Sequence, residues 1–257
     1  MWTWLKSIIR REPAVLGLPP GQRVYAIGDI HGHLSLLDNL LGQVLEDAEQ
    51  YPGFSKTLIF LGDYVDRGPD SKGVLERLST LDVPGFDIIF LSGNHENMLL
   101  NFLEDGAKGL AWLRVGGQET AASYGVPIDA EEPDIAWTQR ALAKALSGQH
   151  RDFLNGLSLS HQVGGYFFVH AGIRPGRSIT AQDMEDMLWI REPFLTSQQD
   201  HGKVVVHGHS VRFDAEFYPD EDTPRRIGID TGAYKSGVLT CLALVGSEKA
   251  LIQTGTR

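Results

Sequence analysis

The chain has 257 residues, 42% hydrophobic and 22% charged, which fits one large α/β domain with a substantial buried core. Its formal net charge of −10 argues against a broad polyanion-binding surface, and so against nucleic acid as the main partner. Cys241 is the single cysteine, which rules out an intrachain disulfide and a thiolate metal cluster.

The opening residues, Met1 to Arg11, hold no apolar run of signal-peptide or membrane-spanning length. With no disulfide expected, the reading is a cytoplasmic protein without stable membrane insertion. Trp2, Leu5, Ile8 and Ile9 could share one face of a short helix docked on its own domain or on a partner subunit. Residues 1–21 therefore read as an N-terminal arm on one domain spanning 1–257, with no repeat or linker to divide it.

Next, one pattern occurs three times: a β-branched apolar run, then Gly and polar residues, then a helix-like segment. The runs are Val24 to Gly28, Leu58 to Gly62 and Ile88 to Leu91, and the helices are expected to begin near Leu34, Asp70 and His95. Roughly 30 residues separate Asp29 from Asp63 and Asp63 from Asn94, the length of one βαβ unit. Such units build a parallel sheet whose strand C-termini share an edge, and the polar residues after each run must gather there.

Residues 104–165 turn to Ala, Leu, Gln and Lys at helical spacing, broken at Gly116-Gly117 and Gly125-Val126-Pro127, and read as a mainly helical cover. Strands return at Tyr166 to Val169, Val204 to Val206, Arg226 to Ile229 and Val238 to Val245, several too close together for helical crossovers. A second, mixed sheet is therefore expected. The acid- and proline-rich stretch Phe213 to Pro224, with Asp214, Glu216, Asp220, Glu221 and Asp222, reads as an exposed loop.

Five strand ends carry the chemistry: Gly28-Asp29-Ile30-His31-Gly32, Gly62-Asp63-Tyr64-Val65-Asp66-Arg67-Gly68, Gly93-Asn94-His95-Glu96, Val169-His170-Ala171-Gly172 and Val206-His207-Gly208-His209. One aspartate after a strand is more often a helix cap, but three matched sites favour ligation. Carboxylate, amide and imidazole without thiolate suit catalytic Mn²⁺, Fe or Zn²⁺ better than a structural zinc site. Two ions about 3.5–4 Å apart need a bridging ligand, which a carboxylate can be, and a water between them becomes a nucleophile. His207 and His209 lie two apart and could face the same way on a strand.

The three leading motifs, in this order and spacing, resemble the PPP family of metallophosphoesterases, and the likeness runs from about residue 22 to 245. Leu188-Trp189-Ile190-Arg191, Val206 to His209, Ile229-Asp230-Thr231-Gly232 and Trp112 through Tyr124 resemble its bacterial serine/threonine phosphatase branch. The resemblance implies a calcineurin-like α/β fold, two mixed sheets packed face to face with helices outside. It places one metal on Asp29, His31 and Asp63 and a second on Asp63, Asn94, His170 and His209, so that Asp63 bridges and His209, not His207, is the ligand. Mn²⁺ is the expected ion, with Fe or Zn²⁺ as alternatives.

Arg67 and Arg191, with Asn94, would hold the phosphate, as a planar guanidinium fork does well. Metal-bound hydroxide would attack phosphorus while His95, oriented by Asp66, protonates the leaving alkoxide. The implied activity is hydrolysis of phosphate monoesters on phosphorylated proteins or peptides. Ser210 stands where the family often has Thr, and the Gly-His-x-His of other metallophosphoesterases is absent.

Two other functions compete. A symmetrical bis(5'-nucleosyl)-tetraphosphatase shares the metal core but tends to have Ala at the position of Asp66 and Asp at that of Glu96. A non-catalytic metal-stabilised scaffold would be expected to have lost a ligand or the acid, and here all seven residues stand. Glu96 reads as support for its helix, Asp230 and Tyr234 as a tight turn near the pocket, and Cys241 as packing. His33, His150, His161 and His201 read as solvated or locally hydrogen-bonded.

Overall fold

The computed structural model describes residues 17–129, 131 and 133–255. The proposed helical face of Trp2, Leu5, Ile8 and Ile9 lies outside them.

The first half alternates strands and helices: β1 (Gln22–Ile27), α1 (Leu34–Glu49), β2 (Ser55–Phe60), α2 (Ser71–Ser79), β3 (Phe86–Phe90) and α3 (Asn94–Glu104). The helices begin where the sequence placed them. Asp70 caps α2 by accepting the Gly73 amide at 2.8 Å, and Gly93 in extended conformation precedes α3. The cover follows as α4 (Gly109–Trp112), a π-helical stretch Leu113–Gly117, α5 (Gln118–Ser123), α6 (Ile135–Ala145) and α7 (Gly148–Asn155). Gly116, at φ 120°, breaks the helical path as the Gly-Gly pair suggested.

The second half holds β4 (Ser160–Val163), β5 (Tyr166–Val169), α8 (Met184–Trp189), β6 (Val204–His207), β7 (Glu216–Tyr218), β8 (Arg226–Gly228), α9 (Ala233–Ser236), β9 (Thr240–Val245) and β10 (Glu248–Gln253). Two mixed five-stranded sheets result, ordered β10-β9-β1-β2-β3 and β4-β5-β6-β8-β7. β1, β2 and β3 run parallel, as do β5, β6 and β8; β9 and β10 extend the first sheet antiparallel beyond β1, and β4 and β7 flank the second antiparallel.

Alternation along each strand explains the layering. Val24, Ala26, Ile59, Leu242 and Leu244 meet Tyr166, Phe168, Val204, Val206 and Ile227 between the sheets. Their neighbours Tyr25, Ile27, Leu58 and Phe60 pack outward against Leu37, Leu40 and Leu75 of α1 and α2. Phe167, Val169 and Val205 pack outward against Met187 of α8 and Phe194. Strands buried on both faces read as unbroken apolar runs, which is why they were visible in sequence.

Two expectations need correction. Residues 104–165 are helical only as far as Asn155, and β4 follows within the stretch. The Phe213 to Pro224 stretch is not all loop: β7 pairs antiparallel with β8, and Glu216 binds the buried Arg226 through Nη1 at 2.6 Å. Both strands are short, half-exposed and at sheet edges, so one side of each faces water and their composition is polar.

Candidate metal centre

The C-terminal ends of six strands meet on one edge of the sandwich. β1 delivers Asp29 and His31, β2 delivers Asp63, Asp66 and Arg67, and β3 leads into Asn94 and His95 on the first turn of α3. From the second sheet, β5 delivers His170, β6 delivers His209 and β8 delivers Asp230. Asp29, His31, Asp63, Asp66, Asn94, His95, His170, His209 and Asp230 are all buried.

The backbone here departs from ordinary geometry. Among the described residues, the non-glycine positions with positive φ are His31, Asp63, Asp66, Arg67 and His209. Each left-handed residue costs of order 1–3 kcal/mol and persists only where its surroundings over-determine it. Glu96 is one such support. The Asp63 and Gly93 amides donate to its Oε2 at 2.8 and 2.9 Å, and those of Tyr64 and Val65 to its Oε1 at 2.7 and 3.2 Å. The helix-support reading of Glu96 thus extends to the loop that carries Asp63. Gly208 is another: a Cβ there would lie 2.0 Å from Asp29 Oδ1, so only glycine lets the β6 loop approach.

The donor groups fall into two sets around Asp63. Ligand atoms of His31, Asp63 and His95 lie within 4.8 Å of one another, and so do those of Asp63, His170 and His209. His31 Nε2 is 3.5 Å from Asp63 Oδ2, and His170 Nε2 is 3.4 Å from Asp63 Oδ1. Asn94 Oδ1 lies 3.0 Å from His170 Nε2 and 2.8 Å from His209 Nδ1. Asp29 is joined to the second sheet by the His209 amide, which donates to its Oδ2 at 3.0 Å.

The protonation pattern fits cation binding. His31 and His170 donate from Nδ1 to the carbonyls of Val65 and Leu61, each at 2.9 Å, which leaves Nε2 of each ring as an acceptor. His170 Nε2 then faces the oxygens of Asp63 and Asn94, acceptor against acceptor, an arrangement a cation makes favourable, while His31 Nε2 accepts from Arg67. Burial pushes the His31, His170 and His209 imidazoles below their usual range, the last to about 3, so all three are neutral near neutral pH, the form in which imidazole can ligate a cation. Burial, and then the charges of Asp230 and Asp63, hold Asp29 well above the carboxylate range. Burial acts on Asp63 in the same direction, but it is outweighed, and the proton-holding His95 beside it helps keep the Asp63 carboxyl below its usual range. Such an acidic knot is relieved by divalent charge. The residues present therefore fit a divalent pair, with nitrogen and oxygen donors and no thiolate.

Beside these sets stands a buried dyad. His95 Nδ1 donates to Asp66 Oδ2 at 2.6 Å, and His95 Nε2 lies 3.9 Å from Asp63 Oδ2. Burial opposes a proton on His95, but Asp63 and Asp66 outweigh it and raise its pKa. Arg67 is half-buried, donates from Nη1 to His31 Nε2 at 2.9 Å, and holds its guanidinium 4.6 Å from the Tyr234 ring centre. Arg191 is exposed just beyond α8, where its charge bears on His170 and His209.

Tyr234 thus lines the site. Asp230 both forms the tight turn, accepting the Gly232 amide at 3.0 Å, and faces Asp29 with its other oxygen unpartnered. His207 is buried on β6 away from both donor sets, with Nδ1 on the Gly208 carbonyl at 3.0 Å. His150 is not solvated: it is buried between Tyr124 Oη (2.6 Å) and Glu76 Oε2 (2.9 Å) and is structural. Cys241 is buried packing on β9. Trp112 and Thr120 both bind Asp66, a role not visible in sequence, where Trp112 through Tyr124 carries only a family likeness. A lone Trp beside Gly-Gly in a helical stretch was the one available signal.

Residues 22–233 match the calcineurin-like phosphoesterase family, and the chain belongs to that family of metal-dependent hydrolases. It is 27% identical over 230 residues to serine/threonine-protein phosphatase 2 of Salmonella typhimurium, covering 85% of this chain and 91% of that protein. It is 38% identical over 96 residues to the Escherichia coli protein of the same name, covering 37% of this chain and 39% of that one. A symmetrical bis(5'-nucleosyl)-tetraphosphatase of Aromatoleum aromaticum is 32% identical over 155 residues, 60% of this chain and 45% of that protein. The chain therefore spans less than half the length of two of these relatives. Among solved structures, the cold-active protein-tyrosine phosphatase of a psychrophilic Shewanella superposes with a TM-score of 0.57 at 17% identity, over 92% of this chain and 83% of that one, a likeness of fold.

Proposed function

We propose that this chain hydrolyses phosphate monoesters and that its substrates are phosphoserine and phosphothreonine in proteins or peptides. The observation that carries the reading is the buried His95–Asp66 bond of 2.6 Å beside Asp63. An alkoxide leaving from a serine or threonine ester is strongly basic and needs a proton, whereas the phosphate leaving group of a dinucleoside polyphosphate does not. A proton-holding imidazole is therefore useful chiefly against alkyl esters.

In this reading Asp29, His31 and Asp63 hold one divalent ion, and Asp63, Asn94, His170 and His209 hold the other, with Mn²⁺ the expected species. Such ions supply Lewis-acid charge to the phosphoryl oxygens and activate the attacking water. The chain's own residues do the rest. Arg67 and Arg191, with the Asn94 amide, hold the phosphoryl oxygens and absorb charge that grows in the transition state. Asp66 fixes the His95 ring so that Nε2 points toward Asp63 and presents its proton to the leaving oxygen. Partial desolvation strengthens each of these contacts.

The tetraphosphatase similarity gives the second reading its support. Asp66 and Glu96 stand against it, since that branch tends to carry Ala and Asp in their places. Metal-stripped protein with Mn²⁺ added back should cleave a phosphoserine peptide far faster than diadenosine tetraphosphate. The reverse order would transfer the assignment to the dinucleotide, and no turnover of any monoester would leave only a metal-stabilised scaffold. The metal identity and a cytoplasmic setting belong to the same proposal.

A further inference from the structure

Asp66 is completely buried and holds a left-handed backbone at φ 72°. Its carboxylate receives more than the His95 ring. Trp112 Nε1 donates to Oδ2 at 2.9 Å and to Oδ1 at 3.1 Å, and Thr120 Oγ1 donates to Oδ1 at 2.6 Å. The Thr120 hydroxyl also accepts the Asp66 amide at 2.9 Å and lies 2.8 Å from Ser71 Oγ, so one side chain holds Asp66 at both ends. Trp112 is itself fixed. Its ring stacks on Phe102 of α3 with centroids 4.8 Å apart, and a Cβ on Gly117 would come within 2.4 Å of it. Since α3 also carries His95, the chain of contacts from Phe102 through Trp112 and Asp66 to His95 closes on one rigid helix.

From this geometry we infer that Trp112 and Thr120 are positioning residues for proton delivery, acting on His95 through Asp66. The inference rests on the general-acid reading of His95 given above. A carboxylate with two oxygens can rotate about its Cβ–Cγ bond. With Trp112 and Thr120 each donating, only one orientation satisfies every donor, and that orientation points Oδ2 at His95 Nδ1. Hydrogen bonds to an ionised acceptor are the stronger class, so loss of one leaves a buried, under-satisfied charge that reorients. The phosphate grip rests on other groups of the same stretch, backbone carbonyls that these substitutions keep: the Arg67 amide donates to the Gly116 carbonyl at 3.1 Å and Arg67 Nε to that of Val115 at 3.3 Å. Removing the Thr120 hydroxyl or the Trp112 N–H should therefore impair protonation of the leaving group without loosening substrate.

The test uses Mn²⁺-reconstituted full-length Thr120→Val, Thr120→Ser and Trp112→Phe, with His95→Asn as control. Each is assayed on a phosphoserine peptide and on p-nitrophenyl phosphate, whose leaving group needs little protonation. Thr120→Val and Trp112→Phe should lower kcat on the peptide by about tenfold, change kcat on the aryl ester less than about twofold, and leave KM in place. Thr120→Ser should restore the peptide rate, because it returns the hydroxyl without the methyl. Equal losses on both esters from Thr120→Val and Trp112→Phe, with His95→Asn still selective for the peptide, would overturn the inference and make both residues mere packing. Loss of selectivity in His95→Asn itself would instead overturn the general-acid reading, and the inference with it. If Thr120→Val does not fold, Trp112→Phe and Thr120→Ser decide the matter: an unselective Trp112→Phe overturns the inference.

Discussion

Glu96 illustrates how the residue scale works in this molecule. It makes no contact with substrate in the proposed reaction, yet its two oxygens receive the amides of Asp63, Tyr64, Val65 and Gly93. Those amides belong to the loop in which Asp63 takes its positive φ, so the carboxylate stabilises a conformation that the chain would otherwise leave. Glu96→Gln offers one acceptor oxygen in place of two and turns an NH₂ toward amides that already donate. The expected cost is about 2–4 kcal/mol, read from urea denaturation, together with weaker Mn²⁺ binding by calorimetry. Unchanged stability would mean that the loop is held by packing alone. Glu96 could be suspected from sequence as a helix-start residue, since it sits three positions into α3. Its reach to residues 63–65 could not, because nothing local to residue 96 specifies how β2 and β3 align.

At the scale of elements, the six parallel strands were legible and the antiparallel edge strands β4, β7 and β10 were not. β7 is the instructive case. Its residues Glu216, Phe217 and Tyr218 lie in an acid- and proline-rich stretch, yet they pair with Gly228, Ile227 and Arg226 of β8. Arg226 is buried and donates to Glu216 Oε2 at 2.6 Å and to the Leu195 carbonyl at 2.7 Å, with its guanidinium 4.4 Å from the Tyr218 ring centre. The hydrogen bond to Arg226 is the main cause that holds the Glu216 carboxylate below its usual 4.5, outweighing partial burial. A carboxylate whose folded pKa is depressed contributes stability above its unfolded pKa and loses it as pH falls through the folded value. Glu216→Gln should therefore destabilise the protein at pH 7 by no more than about 1 kcal/mol, given partial exposure, with the difference from the native chain vanishing at acid pH. Chemical denaturation at two pH values checks this, and a pH-independent difference would remove the ion pair as its cause.

Across the whole molecule, the candidate centre joins the two sheets, since His170 and His209 come from one and Asp29, His31, Asp63 and Asn94 from the other. Divalent ions there would act as ties between layers, and their binding free energy would add to global stability. At Mn²⁺ about 100-fold above its Kd the gain is about 2.7 kcal/mol, a rise in melting temperature of several degrees for a chain of this size. EDTA should reverse it, and Asp63→Asn, which removes the shared carboxylate from both donor sets, should abolish it. A melting temperature indifferent to both Mn²⁺ and EDTA would count against any metal centre between the sheets.

What the sequence determined by itself was local. Apolar runs ended by Gly and followed by Asp, Asn or His mark strands buried on both faces with polar residues at their ends, and βαβ spacing directs three of those ends to one edge. Tertiary structure decided which of the remaining polar groups belong with them. It turned His207 away from the donor sets while His209 faces them, drew Trp112 and Thr120 out of the helical cover onto Asp66, and placed Asp230 against Asp29. These choices depend on contacts between residues far apart in the chain, made only once the second sheet and the cover have packed onto the first. Short-range patterning constrains which residues lie along a strand, but not what stands across from them.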